Sequence, residues 1–152
     1  MLINILYNCG TEVDVKEYLI AIKQHRSECL EDLDNLANIA LQRPFNRIER
    51  LAAERVLQVL IGSCIGVAKH WLKATGKNQP LEAYENFNKL AELQKISLEE
   101  LRNWRKIIGM RNALVHDYLT IDSELLQQVL AERHYQFLTD FLKKACQDLQ
   151  ND

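Results

Sequence analysis

Arg111-Asn112-Ala113-Leu114-Val115-His116-Asp117-Tyr118 gathers an arginine, an amide, an imidazole and a phenol into one short segment, with apolar spacers between Asn112 and His116. Arginine grips phosphate oxygens through a planar fork that is always charged. Histidine is the side chain best suited to moving protons near neutral pH. The combination predicts metal-free chemistry on a phosphodiester, and RNA is the natural candidate because its own 2′-OH can act as nucleophile. Each residue alone also has a bland account. Arg111 would serve as a cation at a helix C-terminus, His116 as a part-buried imidazole bonded to backbone, and Asn112 as a cap or turn residue. Tyr118 would pack with its hydroxyl in water. Their concentration beside the short Asp117-Tyr118-Leu119-Thr120 connection favours chemistry.

The elements that must position this segment are helices. Val15, Leu19, Ile22, Cys29, Leu33, Leu36 and Ala40 recur in steps of four and three, with Arg26 as a polar position in the seam. Thr11 or Asp14 would cap that helix and Pro44 would end it. A second helix is predicted from about Asn46 to Ala74, stopped by Gly76 and apolar around much of its circumference, hence central. Gly62 and Gly66 within it point to close approach of a neighbouring helix. A short helix follows from Leu81 to Gln94. Ser97 and Glu100 form a capping box that opens a helix with Leu98, Leu101, Trp104, Ile107 and Ile108 inward. Asp122 or Ser123 caps a last helix to about Leu149, with Leu126, Leu130, Leu138 and Phe141 on its core face. Only the first seven residues hint at a strand. The expectation is an all-α, up-and-down bundle of four to five helices.

The motif falls at the end of the fourth predicted helix. If that helix continues, His116 lies ~140° around the axis from Arg111, five residues at ~100° each. The two groups converge only if the helix breaks near Val115 or a second copy supplies the partner across a two-fold axis. Glu54, in the central helix, is a further candidate, either orienting His116 or tied in a salt bridge with Arg55.

The chain of 152 residues is 47% hydrophobic and 26% charged with net charge −2, the balance of one soluble domain. It lacks the overall basicity common in duplex-DNA binders, although a local basic cleft can sit on an acidic surface. Lys69, Lys73, Lys77, Arg102, Arg105 and Lys106 are candidate flanks for RNA, with a solvated helix face as the plainer reading. Cys9, Cys29, Cys64 and Cys146 have no paired spacing; Cys29 and Cys64 fall on apolar faces as buried small residues, and a reducing cytoplasm is expected. The longest apolar run, Val56 to Ala68, reads as too short to span a membrane. His25, His70 and His134 lack ligand spacing, so no zinc site is expected.

Arg111-Asn112-x3-His116-x-Tyr118 resembles the Arg-x4-His-x-Tyr signature of the HepT-like branch of HEPN domains. The likeness runs from about Glu49 to Ala145. It takes in Ala53-Glu54-Arg55-x2-Gln58, Cys64-Ile65-Gly66-Val67-Ala68, Ile108-Gly109-Met110 and Ile121-Asp122. It implies a single HEPN domain over residues 1–152, with residues 1–10 as an atypical N-terminal extension, assembling as a two-fold dimer whose motifs face one cleft. The implied function is the toxin of a toxin–antitoxin pair, a metal-independent endoribonuclease with Arg111, His116 and Asn112 catalytic, Glu54 and Asp117 as possible support, and no cofactor. The implied partner is a minimal nucleotidyltransferase antitoxin of the MntA type that adds AMP to Tyr118, in a dimer or a larger heteromeric complex. The alternative is a non-catalytic HEPN subunit that binds a nucleotidyltransferase or a nucleotide.

Overall fold

Asp14 opens the first helix, its carboxylate accepting the backbone N–H of Lys16 at 3.2 Å and satisfying a donor that a helix start leaves free. The computed structural model describes residues 14–116 and 122–151, and every regular element among them is helical. The expected strand in the first seven residues, the extension at residues 1–10 and the alternative cap Thr11 lie outside the described residues. Helix α1 (Val15–Ala40) buries Leu19, Ile22, Cys29, Leu33 and Leu36 along the expected seam. Val15, placed in the same seam, is instead 55% exposed at the first helical position.

Helix α2 (Arg47–Ala74) starts with a reciprocal capping box: Glu49 N–H donates to Asn46 Oδ1 at 2.8 Å, and Asn46 N–H donates to Glu49 Oε2 at 2.9 Å. Arg43 grips the same carboxylate with both guanidinium nitrogens, at 2.8 and 2.7 Å. The helix is central, with Leu60, Cys64, Val67, Ala68, Trp71 and Leu72 buried, and Gly76 ends it at φ +77°, a conformation glycine adopts without steric cost. In length and composition α2 is apolar enough to cross a membrane, contrary to the expectation from its longest run. Its buried side is enclosed by helices α1, α3 and α6, as befits a core helix. Ile48 is 77% exposed, so the apolar circumference is not covered at its first turn.

Helix α3 (Ala83–Glu92) begins later than expected, leaving Leu81 exposed before it. Helix α4 (Leu98–His116) opens on the predicted box, with Glu100 N–H to Ser97 Oγ at 3.1 Å and Ser97 N–H to Glu100 Oε2 at 2.7 Å. Leu101, Trp104 and Ile108 face the core, whereas Leu98, expected inward, is exposed. The Trp104 ring stacks on Phe87 at 4.2 Å and meets Phe141 edge-on at 4.9 Å, contacts that add to simple burial.

The predicted last helix is two: α5 (Ser123–Ala131), capped by Asp122, and α6 (Gln136–Gln150). Between them Arg133 takes φ +56°, a strained conformation for a side-chain-bearing residue. Tertiary contacts hold it there. The Arg133 guanidinium donates to Asp34 Oδ1 at 2.6 Å and to Asn38 Oδ1 at 3.0 Å, and Tyr135 Oη donates to Asp34 Oδ1 at 2.5 Å. α4 and α6 are antiparallel: Glu100 reaches Lys144 at 3.5 Å, and further along α4 Trp104 meets Phe137 at 5.3 Å. The C-terminal end of α4, the N-terminal part of α2 and the α5–α6 break therefore share one end of the bundle. The two α2 glycines do not mark a close helix contact among the described residues. A Cβ on Gly62 would meet nothing within 4 Å, and one on Gly66 only Tyr18 Oη at 3.8 Å.

Candidate active site and the adjoining groove

α4 runs without interruption through Arg111 and Asn112 to His116. The helix does not break near Val115, so within one chain Arg111 and His116 remain ~140° apart around the axis and ~7.5 Å apart along it. Arg111 continues the side of α4 that carries Trp104 and Ile108, seven and three residues earlier, and is half-buried. Its Nη1 donates to Asn112 Oδ1 at 3.2 Å, which joins the two expected phosphate-handling groups. Asn112 is exposed. The backbone phase of α4 puts position 116 within ~40° of Arg102, Arg105 and Gly109, which are exposed. Arg102 and Arg105 make no ion pair with a carboxylate among the described residues, although Arg105 lies over the Tyr84 ring at 5.8 Å. The expected sites Asp117 and Tyr118 lie outside the described residues.

Glu54 is half-buried. Its Oε1 is shielded from solvent and has no hydrogen-bond partner among the described residues; no salt bridge to Arg55 forms there. A buried carboxylate oxygen without a partner is costly. Glu54 lines a groove of about 310 Å³ between α2, α4 and the α5–α6 break. On α4 that groove is edged by Asn103, Lys106 and Met110, and the His116 position lies ~120° around the axis from Met110. Within one chain the side of α4 that borders Glu54 is thus not the side on which position 116 falls.

The groove was not visible in the sequence. Its polar rim combines Glu54 and Gln58 of α2 with Asn103 and Lys106 of α4 and His134 of the break, residues whose spacing carries no shared signal. Its wall depends on the break, where Tyr135 is buried and its phenol is pushed up to about 12, by burial first and then by the hydrogen bond to Asp34. Tyr135 is thus a neutral donor to the Asp34 carboxylate near neutral pH.

Solved structures place this bundle in a class. A tri-AMPylated Shewanella oneidensis HEPN toxin in complex with MNT antitoxin superposes with a TM-score of 0.73 at 20% identity, covering 87% of this chain and 96% of that one. A toxin–antitoxin structure with AMP-PNP gives 0.72 at 20% identity, covering 88% and 98%. The cytosolic protein of unknown function YutE from Bacillus subtilis gives 0.63 at 21% identity, covering 85% and 91%. At such identities the likeness establishes the fold alone, an all-α bundle. The chain belongs to the ribonuclease HepT-like family, whose profile matches residues 16–145. It is 30% identical over 94 residues to the tRNA nuclease HepT of Aphanizomenon flos-aquae, 61% of this chain and 64% of that protein. It is 27% identical over 86 residues to the mRNA nuclease HepT of Shewanella oneidensis, 57% and 64%. The chain spans just under two thirds of the length of these curated relatives.

Proposed function

We propose that this chain is the toxin of a toxin–antitoxin pair, an endoribonuclease that cleaves RNA without a metal in a cleft shared by two copies of the chain. The observation that carries this reading is the unbroken end of α4, which holds Arg111 and His116 on different sides of one helix. A two-fold pair brings His116 of one copy toward Arg111 of the other. Membership of the ribonuclease HepT-like family and the relatives named as tRNA and mRNA nucleases support the substrate class. His116 removes the proton of the ribose 2′-OH, and its copy donates a proton to the departing 5′-oxygen. The 2′-oxygen bonds to phosphorus as the bond to the 5′-oxygen breaks, leaving a 2′,3′-cyclic phosphate and a 5′-OH. Arg111 stabilises the charge that builds on the phosphoryl oxygens, with its fork oriented by Asn112. Asp117 supports His116.

The partner on this reading is a minimal nucleotidyltransferase antitoxin that transfers AMP to Tyr118, putting negative charge and bulk into the cleft. The tri-AMPylated HEPN toxin bound to its MNT antitoxin supports this. The free, buried thiols of Cys29, Cys64 and Cys146 fit a reducing cytoplasm. The test is RNA cleavage in EDTA by the wild type, His116→Ala and Arg111→Ala, with product ends identified. Cleavage by the wild type alone supports the assignment, and equal cleavage by all three overturns it. For the modification, intact mass after incubation with the antitoxin and ATP rises by AMP units in the wild type and stays constant in Tyr118→Phe. Equal modification of that variant removes Tyr118 as acceptor.

A further inference from the structure

The groove beside the motif holds the parts that single-stranded RNA recognition uses. Phe137 and His134 present aromatic rings at its edge, half-buried and exposed respectively. Glu54, Gln58 and Asn103 offer one carboxylate and two amides, and Lys106 adds a cation on the rim. Aromatic faces stack splayed bases, and amides and carboxylates read their edges. The volume of about 310 Å³ lies at the small end of ligand pockets. Position argues as strongly as composition. Met110 edges the groove and Arg111 follows it directly, while Lys106 sits beside the exposed line of Arg102 and Arg105. A strand whose phosphate meets Arg111 has a neighbouring base within reach of the groove and a neighbouring phosphate beside Lys106.

We infer that this groove is a base-recognition subsite, taking one nucleobase of the RNA strand next to the scissile phosphate, with Glu54 reading the base edge. The inference rests on the RNA-cleaving reading and adds sequence preference to it. A carboxylate only accepts hydrogen bonds, so Glu54 favours a base that presents adjacent N–H donors. Guanine, with its ring N–H beside an amino group, fits best. Uracil, with a single N–H between two carbonyls, fits worst. Glu54 lines the groove beside Gln58 and Asn103, where a base edge would meet its carboxylate.

The experiment compares short RNA oligonucleotides that carry guanosine, uridine or an abasic ribose at each position flanking the cut. Cleavage is followed with the full chain, and binding by fluorescence anisotropy in the His116→Ala background. At one flanking position the abasic substrate is expected to bind about tenfold more weakly than guanosine, within the stacking range for one base. Glu54→Gln should bring guanosine and uridine closer together there without changing the abasic result. His134→Ala and Gln58→Ala, at the solvent edge, should lessen the abasic penalty and serve if Glu54→Gln misfolds. Cleavage with no base dependence at any flanking position overturns the subsite and leaves the nuclease reading intact. Base-dependent binding without cleavage keeps the subsite and overturns the nuclease reading. If Glu54→Gln shifts the dimer dissociation concentration in sedimentation but not base dependence, a second copy fills the groove and the subsite is overturned.

Discussion

Mixing two dead variants gives the sharpest test of the shared cleft. Arg111 and His116 sit on one continuous helix, ~7.5 Å apart along its axis and ~140° apart around it. On the proposed reading, that geometry makes the working pair one residue from each copy. In a mixed dimer of Arg111→Ala with His116→Ala, the intact arginine and the intact histidine stand on different chains and face each other. The complementary pair is lost on both members. The purified mixed dimer keeps one of the two trans pairs but only one of the two histidines, so its activity should rise above both parents and stay below half of wild type. The assay is co-expression of the variants with different tags, tandem purification to confirm mixed dimers, and cleavage of a fluorescent RNA at matched protein concentration. Neither parent should exceed background. If the verified mixed dimer cleaves no faster than the parents, the two groups act within one chain and the helical-phase argument is wrong.

The remaining predictions concern the scaffold. Arg43 and the Asn46 backbone hold the Glu49 carboxyl near 2 from an ordinary 4.5. Its folded value is depressed, so its contribution is complete above about 4.5 and fades as pH falls toward 2. The Tm difference between wild type and Glu49→Gln should therefore be present at pH 7 and close by pH 2; a constant difference would refute the linkage. Tyr135→Phe removes a hydrogen bond to the Asp34 carboxylate and should cost about 1.5 kcal/mol by urea denaturation, the low end for bonds to charged groups. No change in midpoint would mean that the Arg133 contacts alone hold the α5–α6 break. Leu60→Ala, at a fully buried position of α2, should lose about 2–5 kcal/mol, measured by the same denaturation with an unchanged slope.

Much of the scaffold is written in local sequence. Asn46 with Glu49 and Ser97 with Glu100 mark helix starts by side chains that serve the nearest backbone donors, and Gly76 marks a stop for its own conformational reasons. The periodic core of α1 and α2 follows from burying one side of a helix. The misplaced core residues share one cause. Val15, Ile48, Leu81 and Leu98 are apolar residues at or beside helix starts, where pattern alone cannot tell whether a neighbour covers them. The α5–α6 break contains neither proline nor glycine, so its turn has no local signature.

The sequence by itself therefore determined an all-helical bundle and the chemical types gathered between Arg111 and Tyr118, because capping, periodicity and side-chain chemistry are properties of neighbouring residues. Tertiary structure decided three other matters. It held Arg133 at positive φ through Asp34 and Asn38 on a distant helix. It assembled the groove from segments that share no spacing. It also carried α4 unbroken to His116, because Trp104 and Ile108 pack against the rest of the bundle. Positions 111 and 116 of the opening segment are thereby set ~140° apart around one helix.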